Sequence, residues 1–139
     1  MRCLALDVGE KRTGVAVGEI LARPLAILER RSKAHDFAAI ANLVREHQVD
    51  TVVVGLPVNM DGSTGFQAQR VTRYAERMKE ALTAMGLDID LVLWDERLTT
   101  EQADETMSEI GHTLRDRQRR IDAVAAAIIL QSYLDSQIG

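Results

Sequence analysis

Cys3-Leu4-Ala5-Leu6-Asp7-Val8-Gly9-Glu10-Lys11-Arg12-Thr13-Gly14-Val15-Ala16-Val17-Gly18 is the stretch whose reading decides the fold. Residues 2–8 read as a buried strand, Gly9 to Thr13 as a turn, and Gly14 to Gly18 as a second strand, so the chain opens on a β-hairpin. A doubly wound nucleotide-binding fold needs a helix after its first strand, and the turn leaves no room for one. The Gly9/Gly14 spacing matches half of a P-loop. The Lys-Ser/Thr pair is missing, however, and a strand follows where a helix should.

Further along, Pro24 to Arg30 reads as a third strand, with proline at its start where a missing donor is tolerated. From Ala34 to His47 the period changes, and Phe37, Ile40, Ala41 and Val44 fall on one helical face. Thr51-Val52-Val53-Val54-Gly55-Leu56 has the continuous β-branched character of a strand buried on both faces. The loop Pro57-Val58-Asn59-Met60-Asp61-Gly62 follows. Thr64 with Gln67 then forms a capping-box pattern. Val71, Tyr74, Met78, Leu82 and Met85 mark a long amphipathic helix that Gly86 is placed to end. Residues 89–94 make a fifth strand. Thr99 with Gln102 is a second capping box, opening a short helix to about Ile110. A polar, basic segment over 111–119 leads to a last helix from about Arg119 to Leu134. The order is β-β-β-α-β-α-β-α-α: an α/β chain with a five-stranded mixed sheet flanked by helices, the order of ribonuclease H-like folds. The later strands should run parallel to the first. The 139 residues suffice for a single domain over 1–139 and are too few for two.

No apolar run is long enough to span a bilayer. Asp7 and the turn after it interrupt any signal-peptide core. The one cysteine, Cys3, has no internal partner, which fits a reducing cytoplasm. A net charge of −4 counts against a general nucleic-acid binder. The cations are nonetheless grouped: Lys11-Arg12, then Arg70, Arg73 and Arg77, then Arg97, then Arg115, Arg117, Arg119 and Arg120. Trp94, Tyr74 and Tyr133 are too few for a base-stacking platform. His35, His47 and His112 show no ligand spacing.

Three acidic positions stand at the edges of apolar segments. Asp7 ends Cys3–Leu6, Asp95-Glu96 ends Leu91–Trp94, and Asp122 opens an alanine-rich helix. An unpaired charge is costly at such an edge. Arginine pairs or backbone caps would relieve that cost, and so would a shared divalent cation, which wants hard oxygen ligands. Adjacent residues at a strand end point opposite ways, so only one of Asp95 and Glu96 can face such a site. Glu96 is the expected ligand and Asp95 a supporting group. Ala125, Ala126 and Ile129 share the helix face of Asp122, and the small alanines let that face press close to the sheet. Lys11, Arg12 and Arg97 are candidate phosphate contacts. Asn59 and Asp61 lie on the strand-carboxyl edge, in reach of a substrate or an outer-shell water.

The motifs Asp7-x-Gly9-x-Lys11-Arg12-x-Gly14-x-Ala16, Gly55-Leu56-Pro57 with Met60-Asp61-Gly62, Asp95-Glu96-Arg97-Leu98-Thr99-Thr100, and Asp122-x-x-Ala125-Ala126-x-x-Ile129-Leu130-Gln131 together resemble the YqgF (RuvX) family, over almost the whole chain. The resemblance implies a ribonuclease H-like nuclease in the cytoplasm, with a divalent metal, Mg²⁺ or Mn²⁺, held by Asp7, Glu96 and Asp122. It implies maturation of the 5′ end of pre-16S ribosomal RNA on ribosomal precursor particles. Structured DNA, as in a Holliday junction, is the second candidate substrate. The expected chemistry is hydrolysis of a phosphodiester by a monomer or a homodimer, Asp7 bridging two ions roughly 3.5–4 Å apart. The rivals are a junction resolvase, which would need two sites in a symmetric dimer, and a non-catalytic ribosome-assembly or transcription factor. An actin-like ATPase needs two such halves, and the chain supplies one.

Overall fold

The computed structural model describes residues 1–59, 61–99, 103–105 and 117–138, with the backbone alone for 117–122. Five strands form one sheet: β1 (Cys3–Val8), β2 (Arg12–Gly18), β3 (Arg23–Glu29), β4 (Thr51–Leu56) and β5 (Asp90–Asp95). Their spatial order is β3-β2-β1-β4-β5. The opening hairpin is antiparallel, with Asp7 opposite Gly14. Its turn is closed by Gly9 N–H donating to Arg12 O at 2.9 Å. β3 pairs antiparallel with β2, and the register shifts between Val15 and Ala16, next to the position where Pro24 enters the ladder. Pro24 thus lies in an edge strand at an irregularity, where its missing N–H is tolerated. β1 pairs β4 and β4 pairs β5 in parallel, as the expected crossovers require.

Alternation along the strands builds two layers. Leu4, Leu6, Val15, Val52 and Val54 face α1 (Lys33–Glu46) and α2 (Phe66–Ala84). Cys3, Ala5, Ala16 and Val53 face α3 (Arg117–Ile138), which lays Ala126, Ile129, Leu130, Tyr133 and Leu134 on the sheet. α1 is capped by Ser32, whose side chain accepts from His35 N–H.

α2 departs from expectation at its start. Gly65, not Thr64, is the N-cap, and no side chain caps the helix. The preceding loop is already tied up by its own bonds. Asn59 N–H donates to Ser63 O, and Ser63 N–H and Oγ both donate to Asp61 Oδ1. α2 does end at Gly86, which takes φ +82°, a value that costs glycine little. β5 is an outer strand and only half-buried; its Leu93 is exposed. The short helix expected from Thr99 to Ile110, and the segment 111–119 before α3 begins at Arg117, fall largely outside the described residues. Among the described residues no helix is long and apolar enough to cross a membrane.

Candidate active site

Asp7 and Glu96 come together on the α3 side of the sheet. Asp7 is one step beyond Leu6, and so shares the face of Cys3 and Ala5, which pack beneath α3. The neighbouring strand β4 presents Gly55 on the same face. A methyl group built on Gly55 would lie 2.8 Å from Glu96 Oε1 and 2.6 Å from Ile129 Cδ1. The missing side chain is therefore the space into which the Glu96 carboxylate folds, with Ile129 of α3 as its apolar wall.

A turn of 3-10 helix, Glu96–Leu98, carries Glu96 there after β5 ends. Asp95 starts that turn. It accepts from Arg97 N–H at 2.9 Å and pairs with the Arg97 guanidinium at 2.6 Å. The Asp95 carboxyl is consequently held below the usual range, first by its bonds from the Arg97 side chain. From the far side, Ser132 Oγ of α3 donates to Leu98 O at 2.6 Å, and Trp94 Nε1 donates to Ser132 Oγ at 3.3 Å. The Glu96 turn is thus fixed at both ends.

The electrostatics match the geometry. The Glu96 carboxyl is pushed above its ordinary value, chiefly by burial, then by the charge of Asp7 and then by that of Asp95. Two carboxylates sharing a half-buried edge repel, and a cation between them removes the cost of both. The donor set is all hard oxygen, which suits a divalent cation of the magnesium type. The neighbouring carboxylates of Asp7 and Glu96 and their mutual repulsion fit such an ion.

The backbone of α3 brings its first turns toward the same edge. Ile129 stands over Gly55, while Gln131 reaches the β2–β3 turn at the opposite edge, accepting from Ala22 N–H at 2.8 Å. Position 122 is seven residues before Ile129, about 10 Å along the helix toward the strand-carboxyl edge. It lies on the stripe that continues through Ala126, Ile129 and Tyr133, all buried. Ala125, expected on that face, is only half-buried. The Asp122 side chain lies outside the described residues. Among those described, no three histidine, cysteine or acidic side chains form a metal cluster.

The other expected contacts are spread around this centre. Lys11 and Arg12 are exposed at the hairpin end, and Arg12 pairs with Glu29 at 3.4 Å. Arg97 is committed to Asp95 and lies 3.6 Å from where a methyl on Gly62 would be, which places it beside the Asn59–Ser63 loop. Asn59 donates to Ser63 Oγ at 3.1 Å, and Asp61 is held by Ser63, so both first serve the loop itself. Sequence reasoning missed Gly55 and Ser132 as the parts that seat Glu96. A glycine inside a β-branched run was the available sign for the first. The second had none, because its partners are more than thirty residues away.

A mixed sheet in this order, with carboxylates at the carboxyl ends of its central and outer parallel strands, defines the ribonuclease H-like class. Solved structures agree on the fold. Thermus thermophilus RuvC in complex with Holliday junction substrate superposes with a TM-score of 0.70 at 13% identity, covering 100% of this chain and 96% of that one. Fowlpox virus resolvase, solved with substrate Holliday junction DNA, gives 0.60 at 14% identity, covering 100% of both. The model of the RuvX family, described as Holliday junction resolvase, matches residues 1–136, and the chain belongs to that family. Relatives named "Putative pre-16S rRNA nuclease" include one from Thermoanaerobacter pseudethanolicus, 42% identical over 99% of this chain and 98% of its own. Another, from Caldanaerobacter subterraneus subsp. tengcongensis, is 44% identical over the same shares.

Proposed function

We propose that this protein is a nuclease that hydrolyses a phosphodiester bond with a divalent cation, Mg²⁺ or Mn²⁺, held by Asp7, Glu96 and Asp122. The observation that carries the reading is the Glu96 carboxylate, folded into the space left by Gly55 and pressed against the charge of Asp7. When bound, the cation would supply Lewis acidity toward a phosphoryl oxygen and make a bound water a better nucleophile. Asp7 fixes its ligand oxygens from the middle of the sheet. Glu96 supplies the second carboxylate, with Ile129 keeping water from its buried side. Asp122 completes the set from α3. Asp95 and Arg97 hold the turn in shape, and Arg97 with Lys11 and Arg12 would steady flanking phosphates without reading bases.

RNA is the favoured substrate, because relatives 42% and 44% identical over nearly their whole length carry the pre-16S ribosomal RNA name. Processing of the 5′ end of that RNA on ribosomal precursor particles, in the cytoplasm, is the corresponding role. The second reading, cleavage of four-way DNA, is favoured by the family description and by the junction-bound RuvC. It requires two sites in a symmetric dimer, a demand that one cut in a single RNA strand does not make.

The test is cleavage of a 5′-extended pre-16S transcript and of a four-way DNA junction, each with Mg²⁺ or Mn²⁺, by the unaltered chain and by Asp7→Asn, Glu96→Gln and Asp122→Asn. Loss of at least a hundredfold in every variant, with melting curves intact, is expected. Undiminished cleavage by Asp7→Asn overturns the assignment. A chain that binds precursor particles yet never cleaves is a non-catalytic assembly factor.

A further inference from the structure

The opposite face of the sheet carries a second feature that the acidic site does not use. A groove of about 270 Å³ opens between α2, the start of α1 and the β1–β2 turn. Its lining includes five cations, Arg30, Lys33, Arg70, Arg73 and Arg77, against the single carboxylate of Glu10. Arg70, Arg73 and Arg77 follow one another at helical spacing, so one stripe of α2 faces the groove. Arg70 is paired with Glu10 at 3.3 Å. Arg30 is held by Asp36 at 3.7 Å, donates to Gly9 O at 2.9 Å and lies over the Tyr74 ring at 4.9 Å. Lys33, Arg73 and Arg77 are exposed and have no ion-pair partner among the described residues.

Tyr74 forms the floor of the groove with its ring, 4% exposed, beneath Arg30. Its hydroxyl is directed at the Thr13 side chain, itself 1% exposed on the core side of β2. Uncompensated cations lining one groove suit an anion rich in acceptor oxygens. In a chain of net charge −4 such a concentration is local.

We infer that this groove is a second phosphate track, in which Arg73, Arg77 and Lys33 hold the sugar-phosphate backbone of a substrate segment flanking the one at Asp7. Position in the fold selects a polynucleotide over a small anion. Val8 lines the groove, and Asp7, the residue before it, faces the other side of the same strand end. A strand crossing the carboxyl edge of β1 passes from one site to the other. The inference rests on the nuclease reading, and it separates from that reading by experiment.

Binding is measured by fluorescence anisotropy on the full chain carrying Asp7→Asn, so that no cleavage intervenes. The probes are a labelled stem-loop RNA with a 5′ single-stranded extension and a labelled four-way DNA junction. In each, Arg73→Gln/Arg77→Gln is compared with Arg23→Gln/Arg45→Gln, a control pair of exposed cations outside the groove that changes net charge equally. The groove pair should weaken binding at least tenfold at low salt. It should also flatten the slope of log affinity against log salt by about 1.4–1.8, the loss of two phosphate contacts. Equal effects from both pairs, or no effect from the groove pair, overturn the inference. Inorganic phosphate that protects the groove while polynucleotide binding ignores Arg73 and Arg77 also overturns it, marking a small-anion pocket. A groove-dependent slope in a chain that never cleaves leaves the track standing and removes the nuclease. Cleavage with an unchanged slope does the reverse.

Discussion

Replacing Gly55 with alanine tests the site at the contact on which it depends. The added methyl would lie 2.8 Å from Glu96 Oε1 and 2.6 Å from Ile129 Cδ1, where ordinary contact begins near 3.4 Å. Both atoms end flexible side chains, so the fold can absorb the insertion. The carboxylate must retreat by about 0.6 Å, and the methyl of Ile129 by slightly more. Overpacking of this kind costs about 1–3 kcal/mol, and alanine returns part of that by stiffening the strand. A net loss of about 1–2 kcal/mol lowers Tm by about 3–10 °C in a chain of this length. The consequence for activity should be larger. Misplacing a catalytic group by 1 Å costs about a hundredfold, so cleavage should fall about 10- to 100-fold, with a higher divalent-ion requirement. Adding Ile129→Val removes the Cδ1 obstacle while leaving the carboxylate displaced. The double variant should regain much of its Tm and little of its cleavage. Cleavage at the unaltered rate by Gly55→Ala, or full recovery in the double variant, would refute the claim that Gly55 seats Glu96.

Other outcomes follow from neighbouring contacts. Glu96→Gln removes a half-buried charge repelled by Asp7; it should raise Tm measured in EDTA by a few degrees and abolish cleavage measured with Mg²⁺ or Mn²⁺, and an unchanged or lower Tm contradicts the crowding. Ser132→Ala leaves Leu98 O and Trp94 Nε1 without their partner and should cost about 1–3 kcal/mol by urea unfolding, with reduced cleavage. The Cys3 thiol is raised from 9.0 to about 11, chiefly by burial and then by Asp50. Because the folded value is the higher, its contribution to stability is complete below 9.0 and is lost as pH rises through about 11. At pH 9 the native thiolate is about 1% populated against about half in the unfolded chain, so iodoacetamide should label native protein at least about 50-fold more slowly. Equal labelling in the two states would place Cys3 outside the core.

Much of this was legible because it was local. The turn after Asp7 excluded a crossover helix, and strand alternation required Asp95 and Glu96 to part company. They do so, one to Arg97 and the other to Gly55. The N-cap of α2 was misread because Thr64 carries the right pattern, while the self-bonded Asn59–Ser63 loop delivers Gly65 to the helix start. The apolar run 91–94 marked a strand without marking its place in the sheet. An outer strand has one neighbour, and Leu93 is left exposed. The cationic groove escaped notice because Arg30 and Lys33 come from a different part of the chain than the α2 arginines, and only the sheet brings them together.

The strand order β3-β2-β1-β4-β5 has a consequence for how the acidic pair behaves over time. Asp7 belongs to the innermost strand, which is paired on both sides and whose amides should open only with the whole protein. Glu96 hangs from the rim, where β5 can detach without dismantling the rest. One jaw of the clamp is anchored and the other hinged. A cation held by both, as proposed, would weld the rim to the centre, and amide exchange in β5 should then slow as divalent ion is titrated in, while that of β1 stays where it was.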